Sequence, residues 1–180
     1  MAASARTTEF LKECMADALI HTMREKPFSK ITINEITDQA GVNRSTWFRN
    51  FSDKNEAISF RLVRLWLRWA DDHEIKEKHR FTPDNAAEFF SFNYSIRNLL
   101  SEIYRNDLHT CVFNAFHEVM TPQYGSDPAG CYEASFFTYG LFGFLDEWIK
   151  RGFQETPEEL TELFRNMIRI NGFTHEADRK

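Results

Sequence analysis

Four side chains within six consecutive positions carry the most readable chemistry in this sequence: Arg44, Ser45, Phe48 and Arg49. A guanidinium fork matches a guanine edge or a phosphate, and a phenyl ring matches a thymine methyl or a sugar. A phenylalanine beside two arginines suits a purely solvated helix face poorly. The plainer alternative packs Phe48 on a neighbouring helix and leaves the arginines in water. Other candidate chemistry is thin. His109 and Cys111 stand two apart on one predicted helix and point in different directions, while His109 and His117 stand eight apart, too far for one ion. No metal and no cofactor are expected. The sequence has no glycine-rich phosphate loop, no nucleophile elbow and no H-E-x-x-H, so no enzyme is expected either. Cys14, Cys111 and Cys131 are odd in number and widely spaced, which fits a reduced, cytoplasmic protein better than a zinc or redox motif.

The elements that must position those four residues read as helices throughout. Only 7 Gly and 5 Pro occur in 180 residues, few for a turn-rich β protein. Leu11, Cys14, Met15, Ala18, Thr22 and Met23 give the apolar face of a first helix over about 7–25. Pro27 ends it. Thr32-Ile33-Asn34-Glu35 is a capping box opening a second helix through Ala40. Gly41-Val42-Asn43 is the break, with Asn43 a candidate cap for a third helix over about 44–51. Ile33, Ile36, Ala40, Val42, Trp47 and Phe51 face inward, which turns Arg44, Ser45, Phe48 and Arg49 outward. Two short helices about a glycine-containing turn make a helix-turn-helix at about 32–51, whose second helix enters the major groove. A fourth helix starts after Ser52 or Asp53 and is expected to reach about 79. Helices follow at about 84–92, 95–106, 108–120, 131–153 and 157–171, the last opened by Pro157 with Glu158 and Glu159 in its first turn. The expected fold is all-α, about nine helices, with a DNA-binding helix-turn-helix domain over 1–54 and a second helical domain over 55–180.

Charge is consistent with that division. Residues 1–60 hold eight Lys or Arg against eight Asp or Glu, and residues 61–180 hold 14 against 19, so the net −5 lies in the second part. Between Lys26 and Lys54 five bases face three acids. A locally basic head on an acidic body orients the molecule toward a polyanion. No run approaches the roughly 18 apolar residues that span a membrane, and the first ten residues lack a hydrophobic signal region, so no membrane association is expected.

The run ITINEITDQAGVNRSTWFRNFSDK, residues 31–54, resembles the DNA-binding signature of the tetracycline-repressor (TetR) family, and the likeness extends over about 8–58. It includes the helix-one pattern, the AGV turn, the aromatic pair, and the F-x-x-K entry to the fourth helix. The resemblance implies a homodimeric transcriptional regulator, a repressor on a near-palindromic operator in double-stranded DNA. It implies phosphate contacts from Thr32 and Lys54, base contacts from Arg44 and Ser45, and a backbone-proximal Thr46. Phe48 stands where the family usually has tyrosine, and Asn50 where it often has histidine. Losing the phenol removes one phosphate hydrogen bond worth about 1 kcal/mol, and together the departures leave the operator sequence open. Trp47 replaces a usually smaller core residue and reads as structural.

Residues 139–153, YGLFGFLDEWIKRGF, followed by Pro157-Glu158-Glu159-Leu160, are similar to one C-terminal subgroup of that family over about 134–168. The resemblance implies that the last two long helices pair with their mates as a four-helix bundle. Gly140, Gly143, Phe144 and Trp148, with Leu160, Leu163, Phe164 and Met167 on the final helix, are the expected interface; ordinary core is the alternative. Phe89, Phe90, Tyr104, Phe113, Phe116 and Phe137 are candidates for lining an effector pocket, and an effector, where one exists, is expected to be apolar or aromatic. The competing expectation is a family member controlled by a protein partner instead of a small ligand. Arg61, Arg64 and Arg68, aligned on the fourth helix, are expected to form a solvated face.

Overall fold

In a computed structural model, residues 2–75, 85–120 and 128–170 are described. They form nine α-helices and one short 3-10 turn, with no strand among them. The order is α1 (Ala2–Met23), the turn Phe28–Lys30, α2 (Ile33–Ala40), α3 (Arg44–Asn50), α4 (Lys54–Asp72), α5 (Ala86–Ser95), α6 (Arg97–Arg105), α7 (His109–Met120), α8 (Pro128–Lys150) and α9 (Pro157–Ile170).

The local signals act as their chemistry requires. Thr32 and Glu35 close both arms of the capping box, the Glu35 amide donating to Thr32 Oγ1 and the Thr32 amide to Glu35 Oε2. Gly41 ends α2 in the left-handed region at φ 66°, which glycine enters without penalty. Its amide donates to Asp38, and that of Val42 reaches back to the Thr37 carbonyl at 3.0 Å. Asn43 occupies the position before α3 but makes no side-chain cap there. Asp53 caps α4, accepting from the Glu56 amide at 2.8 Å. Thr156 and Glu159 form a second capping box at α9.

Several helix bounds depart from expectation: α1 starts at Ala2 instead of about 7, α5 runs to Ser95 instead of about 92, α8 starts at Pro128 instead of about 131, and two helices stop early for a visible reason. α4 stops at Asp72 instead of about 79: Glu74 turns left-handed at φ 56°, and the Ile75 amide closes on the Ala70 carbonyl at 2.8 Å. α8 stops at Lys150, with Gly152 and Phe153 both left-handed and the Phe153 amide bonded to the Trp148 carbonyl. That reversal tucks Phe153 against Trp148 and Tyr94. The last stretch expected in α4, 76–79, lies outside the described residues.

α1 packs on α2 and α4, α4 on α7, and α5 on α9. One continuous apolar core runs from Met15 through Trp47, Ile58, Phe90 and Trp148 to Ile168. The arginine row on α4 is not a solvated face. Arg61 is only 8 % exposed and forks onto Asp17, with Glu13 nearby; Arg64 pairs with Glu9 and Glu13, and Arg68 with Glu13. The acids come from α1, so the row is the polar half of the α1–α4 seam. Burial raises the Glu13 carboxyl, but the three guanidiniums outweigh it and hold it below its usual range.

Candidate nucleic-acid interface

Trp47 and Phe51 anchor α3 from below, 1 % and 2 % exposed, with ring centres 5.1 Å apart. Phe51 continues edge-on to Phe60 of α4. This fixes the rotation of a seven-residue helix that would not hold its shape alone. The opposite face carries Arg44, Ser45, Phe48 and Arg49, all exposed, and Phe48 is 56 % exposed. Phe48 therefore does not pack inside the head. The Arg44 guanidinium lies over its ring, 5.4 Å from the centre. Neither Arg44 nor Arg49 pairs with a carboxylate among the described residues, unlike the arginines of α4. Thr46 is half-buried, and the half-buried Asn50 turns its amide back to the Thr46 carbonyl at 2.7 Å.

The other two expected contacts have structural work as well. Thr32 is exposed, yet its hydroxyl is held by Glu35. Glu35 also pairs with Lys26; that ammonium first, then the Thr32 donors, draw its carboxyl down to about 2. Lys54 donates to the Phe28 carbonyl at 2.7 Å and the Ile31 carbonyl at 2.8 Å, and its ammonium sits 4.3 Å from the centre of the Phe28 ring. Burial, with Lys26 adding to it, lowers the Lys54 pKa. The Phe28 amide donates to Asn106 Oδ1 at 3.0 Å. Residue 28 is thus gripped from α4 on one side and from the end of α6 on the other, a junction that no sequence spacing announced.

In the body, a cavity of about 40 Å³ lies between α4, α5 and α7. Phe89 and Phe116 line it, together with Leu62, Trp66, Phe92 and Asn93. The other expected pocket residues do not. Phe90 packs against Phe144, Trp148 and Phe164; Tyr104 donates to Asp146 at 2.7 Å; Phe113 lies on Tyr139 and Phe142; Phe137 meets Phe136. Burial and then Asp146 raise the Tyr104 pKa, which keeps the phenol a donor. Cys111 faces the core, its thiol pushed up to about 11 by burial, while His109 on the same helix is exposed.

The expected interface residues divide between two faces. Trp148, Leu160 and Phe164 are buried in the single chain, and Trp148 donates its indole N–H to the Glu155 carbonyl. They belong to the chain's own core, because α5 covers that stripe through Phe90 and Tyr94. Phe144 is half-buried on Phe164. Gly140, Gly143, Leu163 and Met167 are exposed, beside Tyr132, Phe136 and Tyr139, which sequence reasoning did not select. A Cβ on either glycine would meet nothing within 4 Å in this chain, so internal packing does not require glycine there.

Among the described residues, no helix is long and apolar enough to cross a membrane. No curated protein matches the chain. Residues 85–170, from α5 to the end of α9, match the family model of a TetR-type transcriptional regulator C-terminal region. The match takes in α5 to α9 of an all-helical chain with a helix-turn-helix near its start, and it supports the TetR-type reading of these residues as those of a transcriptional regulator.

Proposed function

We propose that the chain regulates transcription as a cytoplasmic homodimer, most simply a repressor, by binding a near-palindromic operator in double-stranded DNA through α3. A head over 1–54 reads DNA, and a body over 55–180 dimerises and regulates. The carrying observation is the asymmetry of α3: Trp47 is sealed in the core while Phe48 and two arginines, without carboxylate partners among the described residues, stand in solvent. A soluble helix has no use for that face unless a partner covers it, and phosphates and base edges are what guanidiniums match. Arg44 and Ser45 face bases; Arg49, Thr46, Thr32 and the remaining polar capacity of Asn50 face the backbone. Lys54 has one ammonium proton left for a phosphate after its two carbonyl bonds.

Selection of bound sequences from random DNA tests this. Enrichment of one near-palindrome is expected, and Arg44→Ala should then cost about 1–3 kcal/mol on it and much less on random DNA. Equal affinity of wild type and Arg44→Ala for the enriched sequence, with both proteins folded, would overturn the head assignment.

The cavity bears on regulation. About 40 Å³ is well short of the ~300–1,000 Å³ of drug-sized ligand sites. This speaks against a preformed site for a large effector between these helices and leaves control by a protein partner as the second reading. An effector that does enter must be small and apolar or must open the space between Trp66, Phe89 and Phe116.

A further inference from the structure

α3 presents a side-chain pair that acts as one reading unit, and this inference rests on the DNA-binding reading above. Arg44 and Phe48 stand one helical turn apart, and the guanidinium carbon lies 5.4 Å from the ring centre. The core does not need this ring, since the adjacent Trp47 fills the interior. A phenyl group has neither donor nor acceptor, so the one base feature it can select in the major groove is the C5 methyl of thymine. The base partner that fits an arginine fork is guanine, through O6 and N7. Successive bases of one strand are spaced about 3.4 Å along the axis. Two reading groups centred 5.4 Å apart, partly displaced sideways, span neighbouring base pairs. A cation held over a ring is also partly oriented before binding, which lowers the entropy lost when it docks.

We propose that Arg44 and Phe48 together read a thymine adjacent to a guanine in each operator half-site, Phe48 seated on the thymine methyl and steadying the Arg44 fork on the guanine edge.

The test uses the full chain and sequences selected from random DNA. Each enriched half-site is expected to contain one thymine–guanine neighbour pair. Replacing that thymine by uracil deletes only the methyl, and wild-type affinity should fall about fourfold, the weight of one buried methyl. Phe48→Ala should be indifferent to the swap. Phe48→Leu, which keeps an apolar tip but no ring, should stay sensitive to the methyl while losing part of its preference for guanine. Because Phe48 is exposed, all variants should melt like wild type, so these differences report recognition and not folding. Enriched half-sites without the neighbour pair, or wild-type affinity unchanged by uracil, would overturn the pairing while leaving DNA binding intact. A Phe48→Ala protein that still loses fourfold on the swap would do the same. Failure to enrich any sequence would instead remove the DNA-binding reading itself.

Discussion

At the scale of single residues, the side chains bordering the exposed face of α3 hold the helix-turn-helix together as well as facing outward. Glu35 caps α2 and pairs with Lys26, and its carboxyl titrates near 2 against an ordinary 4.5. A depressed carboxyl pKa gives stability that is complete above about pH 4.5 and is lost as pH falls toward 2. Glu35→Gln keeps the size but not the charge. It should melt below wild type at pH 7, and the gap should close as pH drops through that window; a gap constant from pH 7 to 2 would show that the charge is not the source. Lys54 carries two carbonyls. Lys54→Met leaves both without their donor and should lower stability by about 1–3 kcal/mol in urea unfolding. Measured on the folded protein, the salt slope of DNA affinity should also fall by about one. Unchanged stability would mean that the clamp on the Phe28–Lys30 turn is dispensable.

At the scale of elements, the junctions are ion-paired seams and short hydrogen-bonded contacts. Arg61 is buried, but Asp17 is more than half exposed, so water softens the loss of the pair. Arg61→Ala should cost about 2 kcal/mol by equilibrium unfolding, where a solvated arginine would cost almost nothing. Asn106→Ala takes the acceptor from the Phe28 amide and should speed hydrogen exchange at that amide, with a stability loss near 1 kcal/mol. These junctions mark the limit of what sequence conveys. The Thr32 capping box, the Gly41 turn, the Trp47–Phe51 anchor and the outward Phe48 were all legible, because each depends on residues within a few positions of one another. The end of α4 was not. It turns left-handed at Glu74, a residue with no intrinsic preference as strong as glycine's, so packing chose the place. The partners of Arg61 lie 44 and 48 positions away on α1, beyond any local pattern. The cavity is lined by Trp66 and Phe92 for the same reason, and single-helix periodicity ranked Phe90 and Tyr104 equally with Phe89.

At the scale of the whole molecule, α8 has two apolar faces, and among the described residues one is buried while the other is largely exposed. Leu141, Leu145, Trp148 and Ile149 are buried, while Tyr132, Phe136, Tyr139 and the glycines Gly140 and Gly143 stand in water, with Leu163 and Met167 of α9 exposed as well. Which stripe turns inward is decided by α5, whose Phe90 and Tyr94 meet Trp148. Large exposed aromatics on a monomer are an association surface by default, and two glycines without internal purpose allow a second helix to approach closely. A second copy is the partner best suited to a palindromic site, since a two-fold protein matches a two-fold operator. Tyr139→Glu with Met167→Glu should therefore give a monomer by light scattering, with helix content kept because both side chains lie outside the core. Trp148→Ala should behave oppositely, losing about 3–5 kcal/mol as a buried aromatic does, so that any loss of dimer accompanies loss of fold. On DNA, the folded monomer should bind single half-sites normally and lose the preference for two half-sites spaced by about one helical turn or a multiple of it. An unchanged dimer in the Tyr139→Glu, Met167→Glu protein would place the two-fold contact on another surface, and the exposed face of α8 would then belong to a different protein.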